Sequence, residues 1–557
     1  MSTTETPETP AGPAAPPRRA DELEVATDAH VDLERAVLPT IVSGRVAAFL
    51  IVAFCLPILI VPIVQIALEA TGRHNPQLGS LFKKEWPTRE RLHKYEQDVA
   101  ANSVFKQFVQ PRVQLALSET TGTGNGKVYI GRDGVLFLRP GLDFVTGRGI
   151  LDAGRIRASR KKLVDKGEHA AEPDPRTAIL DFAAACRAAG AYLVVVPVPD
   201  KVTMMPAAAG LAAGLAQEPI VNVDFERVLD ELRSAGIDVY DPLSLGVSTS
   251  GGAERYLLQD THWTPQWMET VAAAIAEHVR AALALPAGGP VKFRGEDVTV
   301  RRVGDLVDML GLPENQTVFA PQEVQIRKTI DIATGQPFSS RESADVLLLG
   351  DSFANIYTAS QMGWGEAAGL APTLARHLNR DVDSIVINGN GATGTRRELA
   401  RRPGGPVGKR VVIWEFAARD LTEASWEPVP MPAPTAAPSK PAETARGKAI
   451  VLDVTIEKIS NVPQPYSVPY PDCLTYFLMH VDRVVEGKYT DDRVLAVMWA
   501  MKKNVWLPPA KYTPGRKMRI KIIPLGQADE SVKTGQRADD TQDYDHRPYF
   551  VTEELNP

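Results

Sequence analysis

Three residues of this chain have the types that nucleophilic acyl chemistry requires: Ser352, His262 and Asp260. A serine hydroxyl is a weak nucleophile until a base within hydrogen-bond reach takes its proton, and that base works best when a third group orients it. Asp260-Thr-His262 offers the base and its orienting acid. Residues two apart in an extended segment point to the same side, so carboxylate and imidazole can face one cleft. Ser352 lies in the run Asp345-Val-Leu-Leu-Leu-Gly-Asp-Ser-Phe-Ala354. Its apolar part, Val346 to Leu349, fits a parallel strand covered on both faces, and Gly350 permits the bend that follows. The hydroxyl is then expected at the carboxyl end of a central strand, where open α/β sheets place their sites. Alone, Gly-Asp-Ser reads equally well as a polar turn, and a lone histidine as a packing residue. The combination points to a nucleophile with its base and orienting acid.

Such chemistry also needs donors for a developing oxyanion. The Ser352 amide is one. Ile387-Asn-Gly-Asn-Gly-Ala392 follows a strand and offers Gly389 and Asn390, the latter chosen over Asn388, although both asparagines also suit simple turn-shaping. Cys55, Cys186 and Cys473 form neither a disulfide framework nor a metal-ligand spacing and read as structural thiols. No metal and no cofactor is expected. Thr121-Gly-Thr-Gly-Asn-Gly126 precedes a strand instead of following one, which removes the dinucleotide-fingerprint reading.

The elements that must carry these residues follow an α/β rhythm. Helices are predicted at Arg176 to Ala189, Asp224 to Ser234 and Gln266 to Leu283, and strands at Tyr192 to Val198, Ile237 to Tyr240, 345–350, Ser384 to Ile387 and Arg410 to Phe416. Alternating strands and helices argue for an α/β fold with a mostly parallel sheet and helices on both faces. Lys201, after the strand ending Val196-Pro-Val-Pro-Asp200, stands at a sheet edge, where it reads either as a site-lining cation or, in preference, as a surface lysine. Earlier in the chain, Lys127 to Leu138 reads as a hairpin around Asp133-Gly134.

Composition sets the outer limits. A chain of 557 residues holds more than one folded unit, and a net charge of −6 implies no general affinity for nucleic acid. Residues 1–45 read as a disordered cytoplasmic tail of low hydrophobicity. Val46 to Val64 contains no charged residue, and with the apolar run on to Leu68 it matches the roughly 20 residues that cross a bilayer. We read 46–68 as one transmembrane signal anchor, preceding the helical segment 81–118. It leaves the rest outside the cytoplasm, although basic residues flank both ends. Residues 80–425 form the α/β domain, 427–446 a proline-rich linker, and 448–557 a small β-rich accessory domain, barrel or sandwich, whose last stretch from Ala528 reads as irregular.

Asp260-Thr-His-Trp263 followed by Gly350-Asp-Ser-Phe353 resembles the SGNH-hydrolase-like domain of the alginate O-acetyltransferase proteins of the AlgJ and AlgX kind. Gly131-Arg-Asp-Gly-Val-Leu-Phe-Leu138, Val196-Pro-Val-Pro-Asp-Lys201 and Val412-Ile-Trp-Glu-Phe416 add to the likeness, which covers residues 80–425. The acid and histidine precede the serine, as in that family. The resemblance implies an O-acetyltransferase acting on an exopolysaccharide outside the cytoplasmic (inner) membrane. It implies Ser352 as nucleophile, His262 as base, Asp260 as its orienting acid, and a multi-pass membrane partner that supplies acetyl groups. The β-rich tail does not match the family's usual carbohydrate-binding module. Trp499 and Trp506 read as core residues before sugar-stacking ones. Two alternatives stay open: a polysaccharide acetylesterase, with water as acceptor, and a non-catalytic polysaccharide-binding or assembly subunit.

Overall fold

A computed structural model describes residues 43–71, 103–165, 171–211, 219–246, 255–284, 289–433, 450–465, 468 and 470–555, with positions 88, 89, 92 and 96. Most of the expected tail, of the linker and of the segment before residue 103 lies outside the described residues. Two compact units are present, Met1–Val99 and Ala100–Pro557. In the first, one apolar helix runs Gly44–Ala70, and over Gly44–Leu68 it is long and apolar enough to cross a membrane.

The second unit is built on a five-stranded, all-parallel sheet. Its strands are β1 (Tyr192–Val198), β2 (Asp238–Val239), β3 (Val346–Gly350), β4 (Val382–Val386) and β5 (Val411–Ala417), in the order β2-β1-β5-β3-β4. Every residue of β3 and β5 is buried, which explains why neither alternates apolar with polar: β3 is an unbroken apolar run, and β5 is interrupted only by Glu415. Burying a side chain the size of Leu347, Leu348 or Leu349 contributes roughly 1.5–3 kcal/mol each. Register is one-to-one: Val346 pairs with Val382 on one side and with Val411 on the other, so all strands end at nearly one level. The chain leaves β1 toward one edge and β3 toward the other. The crevice at their carboxyl ends is therefore a topological switch point.

Helices Pro175–Ala188, Phe225–Ser234, Pro265–Leu283, Leu370–Leu378 and Gly394–Ala400 make the connections. Expected and observed boundaries agree within about two residues; β4 starts at Val382 instead of Ser384. A long hairpin, Phe293–Arg302 with Gln322–Asp331, had no expectation attached to it.

The C-terminal region is a barrel. Strands β6 (Ile450–Ile459), β7 (Cys473–Glu486), β8 (Arg493–Lys502), β9 (Lys517–Pro524) and β10 (Pro548–Leu555) pair β6-β7-β8-β10-β9 and back to β6. β8 and β10 are parallel, and the other pairs are antiparallel. Leu452, Val454, Phe477, Met479, Ala496, Ile520 and Ile522 fill its interior. This closure settles barrel over sandwich. It also corrects the expectation of an irregular end: Pro548–Leu555 is the strand that closes the ring, despite carrying Thr552, Glu553 and Glu554.

Candidate active site

The Asp260–His262 couple is made by a tight return of the chain. Tyr256 and Trp263 form an antiparallel bridge, and Leu257 N donates to His262 O at 3.1 Å. Thr264 then caps helix Pro265–Leu283 by accepting from Trp267 N at 3.2 Å, so the couple stands directly before a rigid helix. His262 Nδ1 lies 2.7 Å from Asp260 Oδ1. The remaining capacity of Asp260 is filled by N–H donors: His262 N at 3.1 Å, Asp305 N at 3.0 Å and Trp364 Nε1 at 2.9 Å. Burial alone would raise the Asp260 carboxyl; the bond and charge of His262, with the Asp305 amide and Trp364, hold it well below its ordinary value. A carboxylate so held fixes the proton on Nδ1 and leaves Nε2 as the basic nitrogen. Nε2 is buried and makes no hydrogen bond.

Burial works against the imidazolium too, yet the Asp260 bond and charge, then Asp305 and Asp351, raise His262 above its ordinary value. Asp305, unmarked in the sequence, stands 3.9 Å from Nδ1 and accepts from Thr261 N at 2.8 Å. Burial and the Asp260 charge push it up to about 7. Gly304 makes this approach possible, since a β-carbon there would overlap the Gln259 carbonyl. Ligand atoms of Asp260, His262 and Asp305 lie within 4.8 Å of one another. However, both Asp260 oxygens already accept two N–H bonds each, a donor set suited to holding an imidazole more than a cation.

Ser352 opens the helix Ser352–Asn355 directly beyond β3. The segment is clamped to the histidine loop: Trp263 Nε1 donates to Phe353 O at 3.0 Å, Tyr357 Oη donates to Trp263 O at 2.6 Å, and the Phe353 ring meets the imidazole edge-on at 4.9 Å. The structure thus brings His262 beside the residue that follows Ser352, while the Ser352 Oγ–His262 Nε2 hydrogen bond is not closed. Asp351 shapes the turn by accepting from Phe353 N at 2.7 Å and Ala417 N at 3.1 Å, and Asp351 N donates to Glu415 Oε2 at 3.0 Å. Burial, then the closeness of Asp351, pushes the Glu415 carboxyl well above its ordinary value.

The loop after β4 lies alongside, with Ile387 N donating to Gly350 O at 3.0 Å. Asn390 Oδ1 accepts from Gly394 N at 2.8 Å. Asn388 accepts from Asn355 Nδ2 at 2.9 Å and donates to Met362 Sδ at 3.1 Å. Gly389 has φ +65° and abuts the side-chain amide of Gln536.

Lys201 is not a surface lysine. It is buried, and its three ammonium donors go to the carbonyls of Leu136 at 2.6 Å, Leu258 at 2.8 Å and Asp260 at 3.1 Å. Burial takes it down to about 7, against the opposing pull of Asp260 and Asp305. Its position after β1 was legible, but its partners lie 57 to 65 residues away in sequence and were not.

A parallel sheet with a Gly-Asp-Ser turn at its switch point, clamped to an Asp-x-His loop, is an SGNH-hydrolase-like fold. Residues 158–418 match the family model described as SGNH hydrolase-like domain, acetyltransferase AlgX. Over this stretch the chain is similar to the AlgJ/AlgX-like proteins. It is 30% identical over 248 residues to a probable alginate O-acetylase AlgJ of Pseudomonas aeruginosa, covering 42% of this chain and 61% of that protein. It is 25% identical over 233 residues to the Azotobacter vinelandii protein of that name, covering 42% of this chain and 58% of the other. The chain therefore spans about three fifths of the length of these relatives. Among solved structures, the O-acetyltransferase domain of Pseudomonas putida AlgJ is 22% identical, with coverage of 54% of this chain and 93% of the other and a TM-score of 0.38.

Proposed function

We propose that this protein is a membrane-anchored O-acetyltransferase that moves acetyl groups onto hydroxyls of an exopolysaccharide through Ser352, His262 and Asp260. The observation that carries the reading is the Asp260–His262 bond at 2.7 Å, with the second imidazole nitrogen unbonded and the ring packed on the residue after Ser352. The names of the relatives, alginate O-acetylases, supply the acetyl group and the class of polymer.

In the first half-reaction Ser352 Oγ attacks the acyl carbonyl of the donor while Nε2 takes the hydroxyl proton. The bond to the donor's leaving group breaks, the imidazolium returns the proton to that group, and an acetyl-serine ester remains. In the second, a sugar hydroxyl gives its proton to Nε2 and attacks the ester. The acetyl–Oγ bond breaks, Oγ regains the proton, and the sugar carries the acetyl group. Asp260 stays ionised throughout and stabilises the transient imidazolium. The Ser352 amide, Gly389 and the Nδ2 donors of Asn390 are the groups offered to the oxyanion. Asn390 Oδ1 is engaged by Gly394, which leaves its N–H groups to donate, whereas both ends of Asn388 are spent.

The helix Gly44–Ala70 supports an inner-membrane anchor with the chain that follows it on the periplasmic side, facing a multi-pass membrane partner that brings acetyl groups across. The test is the full chain in detergent, given 4-nitrophenyl acetate and an unacetylated alginate oligosaccharide, with products read by mass spectrometry. Acetylated oligosaccharide is the expected product, lost in Ser352→Ala. Acetate with no acetylated sugar would make the protein an esterase.

A further inference from the structure

The C-terminal barrel has the strand order of the oligonucleotide/oligosaccharide-binding fold: first, second, third, fifth, fourth, with the third and fifth parallel. Barrels of this topology take their ligands on the outer face of the second and third strands. Here that face is covered. Leu474 and Tyr476 of β7 and Leu495 and Val497 of β8 pack against Leu525, Ala528 and Val532, which belong to the connection between β9 and β10. The usual ligand face is thus spent on holding a segment of the chain itself.

The far end of that segment is laid on the candidate active site. Thr534 O accepts from Asn388 N at 3.2 Å, and Thr534 Oγ1 accepts from Gln361 Nε2 at 2.8 Å. These contacts reach the two loops that leave the carboxyl ends of β3 and β4, one carrying Ser352 and the other Gly389 and Asn390. Gln536, two residues on, sets its side-chain amide against Gly389, where a β-carbon would collide with it. The backbone of Gln536 is fixed from the barrel side, its carbonyl accepting from Leu474 N at 2.8 Å. Its side chain is partly exposed, and its amide has no hydrogen-bond partner among the described residues.

We infer that the barrel serves as a wall of the acetyl-acceptor site, with Gln536 a residue that positions the polysaccharide. This rests on the acetyltransferase reading above. A primary amide offers two donors and an acceptor, a match for neighbouring sugar hydroxyls. A polymer longer than the crevice must cross its rim, and the Thr534–Gln536 segment is part of that rim. A small acetyl donor does not need it.

The test compares the full wild-type chain with Gln536→Ala and Ser352→Ala, using calorimetric binding of an unacetylated alginate oligosaccharide and hydrolysis of 4-nitrophenyl acetate. Gln536→Ala is expected to weaken oligosaccharide binding about fivefold, the loss of roughly one hydrogen bond. Donor hydrolysis and thermal midpoint stay at the wild-type value. Unchanged oligosaccharide affinity, or a parallel fall in binding, hydrolysis and midpoint, would overturn the inference. Retention of donor hydrolysis by Ser352→Ala would instead sink the serine mechanism, and the Gln536 binding result is read independently of it.

Discussion

Buried charge is handled in opposite ways at the strand ends of the sheet and at the seam where the barrel meets it. At the strand ends burial dominates: Asp305 is pushed up to about 7, Asp420 up to about 8, Glu415 well above its ordinary value, and Lys201 down to about 7. Each moves toward its neutral form. At the seam the charges are paired. Asp539 binds Arg401 at 2.7 Å, Arg397 is bonded to Glu427, and Arg401 also meets Glu398 at 2.9 Å. Burial there would raise Asp539, but Arg401 and Arg397 take it down to about 2, and both arginines are raised. Charge left under-compensated in a crevice is a mark of chemistry, whereas charge compensated in full marks attachment. His262 and Asp260 are held against that trend in the first region, as is Arg419, which pairs with Asp200 at 2.7 Å.

If that contrast is right, damage to the two regions gives different phenotypes. The largest effect is expected from His262→Ala, which removes the base and lowers acetyl transfer by about 10³-fold. Quantitative mass spectrometry of the sugar product measures it; a loss under tenfold would place the base elsewhere. Arg401→Ala acts on the seam. Leaving Asp539 buried without its partner costs about 3–5 kcal/mol, read as a lower midpoint in urea. The same seam gives an acid sensitivity with a definite sign. Asp539 has a depressed folded pKa, so its contribution is present above the ordinary aspartate value and is lost as pH falls from about 4 to about 2. Asp539→Asn should flatten the pH dependence of stability in that window.

Smaller effects belong to the groups around the couple. Trp364→Phe removes one of the four donors to Asp260 and is expected to slow transfer about fivefold, by weakening the carboxylate that orients His262. Asp305→Asn removes a charge that favours the imidazolium. Since the base works in its neutral form, the acid limb of kcat/KM, expected above the ordinary histidine value, should move to lower pH. A limb that stayed in place would separate Asp305 from the titrating group.

Sequence and structure meet most closely where local rules decide. The strand Tyr192–Val198 has the bounds its apolar run prescribes, and the serine turn follows from four apolar residues and a glycine. Asp260 and His262 were legible because their coupling needs only a spacing of two. Asp305 and Trp364 were not, because they reach Asp260 across 45 and 104 residues of sequence. Lys201 followed the statistics of lysine until three distant carbonyls enclosed it. The closing strand Pro548–Leu555 carries three consecutive exposed polar residues, Thr552, Glu553 and Glu554, so periodicity alone hid it. Barrel closure itself is a set of long-range pairings that no local pattern encodes.

The central claim is that Ser352 carries the acetyl group between donor and sugar. Incubation of the full chain with 4-nitrophenyl acetate without a sugar acceptor, acid quenching and peptide mass spectrometry test it directly. The account predicts a single acetyl adduct on the peptide containing Ser352, absent in Ser352→Ala and discharged when alginate oligosaccharide is added before the quench. An adduct on another residue, or sugar acetylation by Ser352→Ala at the wild-type rate, would contradict it.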